Sequence, residues 1–277
     1  MRASRAPSHG SDRPIGELLR GWRERGRLSQ LELALSAGMS ARHLSFVETG
    51  RSQPSRDVIA QLSDALELTL RERNLLLLAA GFAPLYSHDE LEAPQFELVR
   101  SAIRRILTAH EPYPAIVIDR HHNLVDANAS AAIFSRNCAS SLLVPPVNVL
   151  RLTLHPDGMA PHVINLSEWR AQLLGSLRRE VESSGDSELA ALYSELKAYP
   201  VPNLLPESRQ PSAVDICMPM RLRDGESELA FYSMIATFGT PFDVTVAELS
   251  IESFFPADAM TAQALNAEAL SLRSSRG

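Results

Sequence analysis

The sequence predicts an all-α domain of five helices followed by an α+β domain, in which helices pack on an antiparallel sheet. Apolar residues recur at helical spacing as far as Ala80, whereas short runs of strand type appear from Pro114 onward. The polar stretch PLYSHDELEAP at residues 84–94, bracketed by prolines, separates the two patterns. A chain of 277 residues has room for two domains. We therefore expect a disordered arm at 1–12, a helical domain at 13–84, a linker at 85–94 and the α+β domain at 95–277.

The helical domain is predicted to begin with an amphipathic helix that ends near Gly26. Its apolar face is formed by Ile15, Leu18, Leu19 and Trp22. A fourth helix is predicted after the capping residue Ser55, with an apolar face formed by Val58, Ile59, Leu62 and Leu66. A fifth helix is predicted from about Thr69 to Ala80, where glycine and proline follow.

Two short helices around a glycine turn lie between the first and fourth helices, in the stretch SQLELALSAGMSARHLSFVETGRSQPS. Ser29 begins a capping box with Glu32, Gly38 supplies the turn, and Ser40 caps the second helix. This pattern predicts a helix-turn-helix, whose second helix enters the major groove of DNA. The helical period turns one set of side chains inward, namely Leu31, Ala34, Leu35, Leu44 and Val47. It leaves the candidate DNA readers facing outward, namely Gln30, Ala41, Arg42, His43 and Phe46.

Net charge is distributed unevenly along the chain. The whole chain carries −6, but residues 1–56 contain ten arginines and five acidic residues, a net of +5, which leaves −11 for the rest. DNA phosphates require a basic protein surface. The sequence therefore predicts that this surface is confined to the N-terminal end, where the helix-turn-helix lies.

The second domain is predicted from a change of period. After a helix at 95–109, the runs PAIVID and NLVDAN flank Arg120, His121 and His122 and predict a hairpin, followed by a short helix at 129–134. The middle is predicted to be mostly helical, and its clearest helix begins at Ser167 and ends near residue 182. Three strands are predicted near the C-terminus, through Val214, Ile216, Met218 and Met220, at 229–238, and at 248–252. Two strands, then helices, then three strands is the order of a PAS-like sensor domain.

Six longer stretches carry a resemblance to known proteins. They are LSFVETGRSQPSRDV, LRERNLLLLAAGFAP, PYPAIVIDRHHNLVDAN, NVLRLTLHPDGMAP, NLSEWR and TFGTPFDVTVAELSIESFFPAD. Together they resemble the XRE (lambda-repressor-like) regulators that carry a C-terminal MmyB-like ligand-binding domain, over nearly the whole chain from Ile15 to Asp258. The resemblance implies a bacterial transcription factor with a five-helix lambda-repressor-like domain and a PAS-like domain, whose apolar pocket takes a fatty-acid-like or similar lipophilic effector.

The resemblance also implies which residues contact DNA. Ser29 and Gln30, at the start of the first helix of the motif, match phosphate-contacting positions, and the base-reading positions are Ser40, Ala41, Arg42, His43 and Phe46. The chemistry of these groups agrees, because helix N-termini offer amides to phosphate and arginine can bind guanine with two hydrogen bonds. Arg51, in the turn after the second helix, is a further candidate for a phosphate contact.

The pocket implied by the resemblance has candidate lining residues on strands and helices, namely Phe134, Leu150, Leu154, Trp169, Leu173, Met218, Phe231 and Phe238. A ligand carboxylate needs a donor, for which Arg151, His155 and Arg170 are the candidates. Two alternatives stay open: a filled core that only dimerises, and a PAS-type sensor that binds haem or flavin.

The sequence also limits other functions. It contains no G-x-S-x-G, H-E-x-x-H, G-x-G-x-x-G or phosphate-loop motif, so we do not expect an enzyme. The two cysteines, Cys138 and Cys217, are far apart and have no metal-ligand spacing, which fits a reducing compartment. Neither a bilayer-spanning apolar run nor a signal peptide is evident, so we expect a cytoplasmic protein with no membrane contact. We expect a homodimer on a palindromic double-stranded operator, with no metal and no cofactor beyond a non-covalent effector.

Overall fold

The structure, a computed structural model, describes residues 14–200 and 217–274 and contains two compact units. The helical unit comprises the described residues up to Glu90 together with Thr240–Ala247. The sheet unit comprises Leu91–Gly239 and the residues from Glu248 onward. The predicted arm at 1–12 and the predicted strand positions Val214 and Ile216 lie outside the described residues.

Five helices form most of the helical unit, as the sequence predicts. They are α1 (Ile15–Arg25), α2 (Gln30–Ser36), α3 (Ala41–Glu48), α4 (Arg56–Ala65) and α5 (Leu70–Ala79). At the start of α2 to α5, a hydroxyl side chain accepts the backbone N–H three residues further on, and the four caps are Ser29, Ser40, Ser55 and Thr69. Glutamates complete capping boxes on α2 and α5. These helices enclose one apolar core, which includes Leu19, Leu33, Leu44, Leu62 and Leu76.

The buried face of α2 differs from the prediction. Leu31 and Leu35, which the helical period places in the core, are 59% and 71% exposed. The residues that α2 and its C-cap bury are Leu33, Ala34 and Ala37. Apolar side chains occupy more than one face of this seven-residue helix, so the period alone cannot distinguish the buried face.

A buried ion pair joins α1 to the end of α3. Arg23 donates from Nε and Nη2 to the two carboxylate oxygens of Glu48, at 2.6 and 3.1 Å. The side chains of Arg23 and Glu48 are 11% and 0% exposed. Gln30, the first residue of α2, donates its amide N–H to the same carboxylate at 2.8 Å. Hydrogen bonding to Glu48 raises the pKa of Arg23, against the opposing effect of burial. One carboxylate therefore connects three helices.

The sheet unit is built on one five-stranded antiparallel sheet in the order β2-β1-β5-β4-β3. The strands are β1 (Ala115–Ile118), β2 (Leu124–Ala127), β3 (Met220–Asp224), β4 (Ser227–Thr237) and β5 (Ser250–Pro256). β1 and β2 form the predicted hairpin, and β4 covers most of the predicted second strand. β3 and β5 extend further toward the C-terminus than the alternation indicates. The sheet and its helices agree with the predicted PAS-like α+β class.

Helices cover both faces of this sheet. They are α6 (Glu97–His110), α7 (Val149–Leu154), α8 (Leu166–Ser184), α9 (Ser187–Ala198) and α11 (Ala259–Ser274), with 3₁₀ helices at Pro94–Phe96, Ala129–Phe134, Ser140–Leu143 and Ala160–His162. α8 begins after Asn165 rather than at the predicted cap Ser167. The Asn165 side chain instead bonds to Pro219 O and Arg221 N, both at 2.9 Å, which ties the start of α8 to β3.

Alternation along the strands divides the sheet unit into two cores, because successive side chains point to opposite faces. On one face Ile116, Phe231 and Phe254 pack with residues of α7, α8, α9 and α11. On the other face Val117 and Ile251 pack with Ile103 and Leu107 of α6, together with Ala115 and Leu249.

The β4–β5 segment, Thr240–Ala247, belongs to the helical unit although it connects two strands of the sheet unit. It contains the short helix α10 (Val244–Ala247). The Ser87 hydroxyl donates to Asp243 Oδ2 at 2.6 Å, and the Val244 N–H donates to Ser87 O at 2.9 Å. Thr245 Oγ1 donates to Asp89 O at 2.6 Å. The polypeptide therefore contributes to the helical unit from two separate stretches of sequence.

None of the helices within 14–200 and 217–274 combines the length and the apolar composition that a bilayer crossing requires.

Candidate DNA interface and ligand cavity

The candidate DNA-contacting residues lie at the starts of α2 and α3 and just after α3. Ser29, Ser40, Arg42 and Arg51 are exposed, and the other four, Gln30, Ala41, His43 and Phe46, are half-buried. The Ser29 and Ser40 hydroxyls each accept a backbone N–H at 3.2 Å as helix caps. A hydroxyl that accepts in this way retains its own O–H as a donor, so both serines can still donate to a phosphate oxygen.

Arg42 lies over the ring of Phe46 on the outer side of α3, with its guanidinium carbon 5.4 Å from the ring centroid. The two residues are four positions apart, so they are neighbours on one helix face. A cation–π contact of this kind restricts the arginine side chain while leaving its N–H groups available. The arrangement is compatible with the predicted two-bond contact of Arg42 with guanine, a geometry that suits arginine better than lysine.

Gln30 is less available than the sequence indicates. Its amide nitrogen is bonded to Glu48, so the buried pair Arg23–Glu48 fixes the orientation of the amide group. The carbonyl oxygen of the amide group is an acceptor and cannot bind phosphate directly, so the second N–H of the amide nitrogen is the group that can donate to DNA. Gln30 therefore serves at least partly to hold α2 against α3.

Two glycines with positive φ shape the turns around α3. Gly38, before the helix, has a φ of 67°, and Gly50, after it, has a φ of 71°. Side chains other than glycine rarely adopt this backbone conformation. Beyond Gly50 the chain folds back, and the Arg51 N–H donates to Phe46 O at 2.8 Å. This places exposed Arg51 directly beyond the end of α3, where the sequence predicts a phosphate contact.

The sheet unit contains a mainly apolar, partly open cavity of about 470 Å³. This volume lies within the range of about 300–1,000 Å³ that is usual for small-molecule sites. The wall combines the sheet, through Ile116, Met220 and Phe254, with α7, α8 and the 3₁₀ helix at Ala129–Phe134. Such a cavity can hold a lipophilic molecule away from water.

Four of the predicted lining residues border the cavity: Phe134, Leu150, Trp169 and Leu173. Leu154 and Phe231 lie behind the wall in the same core, where Phe231 packs edge-on against Phe134 with ring centroids 5.7 Å apart. Met218 packs against that core from a partly buried position. Phe238 instead packs with α6 on the opposite face of the sheet, because it and Phe231 are an odd number of positions apart, so the pleat that turns Phe231 toward the cavity-side core turns Phe238 away from it.

The three candidate donors for a ligand carboxylate are not among the described residues that line the cavity. Arg151 donates to both oxygens of Glu195, at 2.8 to 3.0 Å, and Tyr199 donates to Glu195 at 2.5 Å. Burial raises the pKa of Tyr199 to about 12, with the hydrogen bond to Glu195 acting in the same direction. The ring of His155 packs edge-on against Tyr199, with centroids 5.0 Å apart. Arg170 donates to Lys197 O at 2.9 Å. These three side chains stabilise contacts of α7 and α8 with α9 and the residue that follows it.

Glu252 is a cavity residue that the sequence did not single out. It lies on β5, opposite Ile116 of β1 and Ile235 of β4, and its side chain borders the cavity. Burial raises its pKa above the usual glutamate value, while a hydrogen bond with Ser233 and the charge of His122 act in the opposite direction. The sequence shows Glu252 only as one polar position of an alternating strand, a pattern that is typical of a solvated face. Its position at the cavity depends on β5 lying inside the sheet, which only the strand order reveals.

Comparison with known proteins agrees with both units. The family model described as "MmyB-like transcription regulator ligand binding domain" matches residues 99–267, and the model described as "Helix-turn-helix domain" matches residues 14–76. Two curated proteins from two strains of Mycobacterium tuberculosis, each named an uncharacterized HTH-type transcriptional regulator, are 30% identical to this chain over 113 residues. The match covers 41% of this chain and 73% of each relative.

Proposed function

Because the chain belongs to the helix-turn-helix transcriptional regulators with an MmyB-like ligand-binding domain, we propose that a small lipophilic effector in the cavity modulates sequence-specific DNA binding. In this proposal the protein is a regulator and not an enzyme, and it acts on DNA in the cytoplasm. Ser29, Gln30 and Arg51 hold the DNA backbone, while α3 presents Ser40, Ala41, Arg42, His43 and Phe46 to base edges.

The observation that carries this proposal is the cavity itself. Its wall is almost entirely apolar, and Trp169 and Phe134 contribute large aromatic surfaces to it. A lipophilic ligand that enters an apolar cavity of this size removes apolar surface from water, so it gains free energy by binding there. A filled core that serves only for dimerisation has no use for such a space, and this difference favours the effector over the dimerisation-only alternative.

Modulation of DNA binding needs a structural connection, and we assign it to the β4–β5 segment. β5 carries the cavity residues Glu252 and Phe254, and the chain joins β5 directly to the segment that Ser87 and Asp89 hold in the helical unit. An effector that displaces β5 would therefore pull on a segment packed near α5. The effector shifts DNA affinity only if it prefers one arrangement of these elements over the other.

Asp243→Asn tests this connection, because it weakens the 2.6 Å bond from Ser87 while keeping the shape of the side chain. We expect the affinity for the effector, and the affinity for DNA without effector, to change little in this variant. The ratio of DNA affinities with and without effector should fall toward one. Glu92→Gln is the matched control, since it removes a carboxylate from an exposed position outside the segment. An undiminished factor in Asp243→Asn would count against the assignment.

Homodimerisation is a further part of the proposal, because a palindromic operator needs two helix-turn-helix units about one helical turn apart. Exposed apolar side chains on the sheet unit support it, namely Ile106 at 44%, Tyr232 at 37%, Met234 at 58% and Phe255 at 37%. Phe255 packs edge-on against His110 of α6, with ring centroids 4.9 Å apart, so strand and helix contribute to one surface. We expect Met234→Glu to shift the protein from dimer to monomer in sedimentation experiments. A wild-type protein that sediments as a monomer would contradict the proposal.

Selection of duplexes from a random DNA pool with the purified full chain tests the function as a whole. We expect enrichment of a sequence with two half-sites, and binding that weakens steeply as salt increases. No enrichment would overturn the proposal. A haem or flavin absorption band in the purified protein would show that it carries a prosthetic group, and the lipophilic-effector hypothesis would then be wrong.

A further inference from the structure

Glu252 is the one ionisable side chain among the described residues that line the cavity. The neutral polar groups beside it already have backbone partners. Asn128 donates to Tyr113 O at 2.7 Å and accepts the Ala115 N–H at 2.9 Å. The hydroxyls of Thr153 and Ser135 donate to backbone carbonyls at 2.7 and 3.1 Å. Glu252 is therefore the polar group best placed to bond with a ligand.

The described side chains closest to Glu252 along and across the strands are mostly apolar. The side chains across from it on β1 and β4 are Ile116 and Ile235, and Phe254 lies two residues along the same face. Ser233 supplies a hydrogen bond, and the nearby His122 is itself bonded to Glu180 at 2.8 Å. A carboxylate can accept about four hydrogen bonds, so most of its capacity remains for a ligand.

We propose that Glu252 selects the effector by its head group, so that the cavity takes a lipophilic molecule bearing a hydrogen-bond donor, best a protonated amine. This inference rests on the proposed function, because it assumes that the cavity is the effector site. A protonated amine gives this carboxylate a charged hydrogen-bond donor, whereas Ser233 supplies a neutral one, and a charge-assisted bond is about twice as strong as a neutral one.

The same geometry disfavours an ionised fatty acid. Within 14–200 and 217–274, no lysine, arginine or histidine borders the cavity. Arg151 and Arg170, two of the donors that the sequence suggests, are bonded to Glu195 and to Lys197 O. A ligand carboxylate in this cavity would lose hydration without gaining a cation from the described lining residues, and it would lie beside the Glu252 carboxyl group, which repels it when ionised.

Isothermal titration of the full chain at neutral pH with three probes of equal chain length tests the proposal. The probes are octylamine, octanol and octanoate, which differ only in the head group. We expect octylamine to bind at least about tenfold more tightly than octanoate, with octanol between them. In Glu252→Gln we expect octylamine to lose about tenfold or more in affinity, while octanol changes by less than about threefold.

Glu228→Gln is the matched control, because it removes a carboxylate from the same sheet at an exposed position paired with Arg221. It should leave the ranking of the probes unchanged, which separates the effect of Glu252 from general attraction of amines to an acidic protein. The wild-type ranking tests the proposal even if Glu252→Gln does not fold. Equal affinity for all three probes, or tightest binding of octanoate, would overturn head-group selection by Glu252 but would leave the cavity as the effector site. No binding of any probe would overturn the cavity as the effector site as well.

Discussion

Replacing Arg23 by methionine should strongly destabilise the helical unit. The change leaves the Glu48 carboxylate at 0% side-chain exposure with Gln30 as its close donor, at 2.8 Å. Arg20 is a weak substitute, because its Nε lies 3.9 Å from Glu48 and half of its side chain is exposed. Removing one partner of a buried pair costs about 3–5 kcal/mol, and the remaining donors favour the lower end, about 3 kcal/mol. For a domain of this size that corresponds to a loss of more than about 10 °C in melting temperature.

Urea unfolding followed by tryptophan fluorescence measures this loss. The chain has two tryptophans, and Trp22 lies in the core of the helical unit, so a Trp169→Phe background reports on that unit alone. The double variant Arg23→Met/Glu48→Leu should recover most of the stability, because it removes the unpaired charge together with its partner. If Arg23→Met alone lies within about 0.5 kcal/mol of the parent, the pair behaves like an exposed salt bridge and the reasoning is refuted.

Three further predictions follow from the structure. Gly16→Ala should destabilise the helical unit by about 1–3 kcal/mol in the same assay, since its Cβ would lie 2.2 Å from Glu48 O. In Gly21→Ala on the same helix, the new Cβ meets only the flexible end of Arg25, at 3.5 Å, so this variant should stabilise the helical unit by about 0.5–1 kcal/mol. A change in unfolding free energy of the same sign in both variants would contradict the packing at Gly16. Arg42→Ala should weaken operator binding by about 1–3 kcal/mol in fluorescence anisotropy and relax specificity at one position, whereas an equal loss on all duplexes would indicate a phosphate contact. Because the pKa of Glu252 is raised in the folded state, this side chain contributes to stability below the usual glutamate pKa. The contribution is lost as pH rises through the folded-state pKa. The melting temperature of Glu252→Gln should therefore exceed that of the wild type by an amount that grows as pH rises from about 4.5. A difference in melting temperature that does not change with pH would refute this reasoning.

Local sequence signals predict the helical unit well. Ser29, Ser40, Ser55 and Thr69 begin helices because a hydroxyl can satisfy a free N–H within three residues, which is a local interaction. The choice of buried face on α2 depends instead on which neighbours surround the helix. Leu31 and Leu35 are therefore assigned to the wrong face, since the apolar residues of α2 fit more than one stripe.

The cavity depends on contacts between residues far apart in sequence, and the sequence therefore predicts it less well. Trp169 and Phe134 could be proposed because large aromatic residues on core-facing helices are good candidates for a wall. Phe238 lies on the opposite face because it and Phe231 are an odd number of positions apart, so one face of the strand cannot present both. Glu252 borders the cavity because β5 lies between β1 and β4. Strand order of this kind is set by long-range pairing, which no local pattern encodes.

Reciprocal titration of effector and DNA tests the central claim most directly. The affinity of the full chain for its selected duplex is measured with and without saturating octylamine, and the affinity for octylamine is measured with and without that duplex. If the cavity is coupled to the helix-turn-helix, both affinities change by the same factor, as linkage requires. A duplex affinity that stays the same at saturating octylamine, while octylamine demonstrably binds, would contradict ligand-controlled DNA binding.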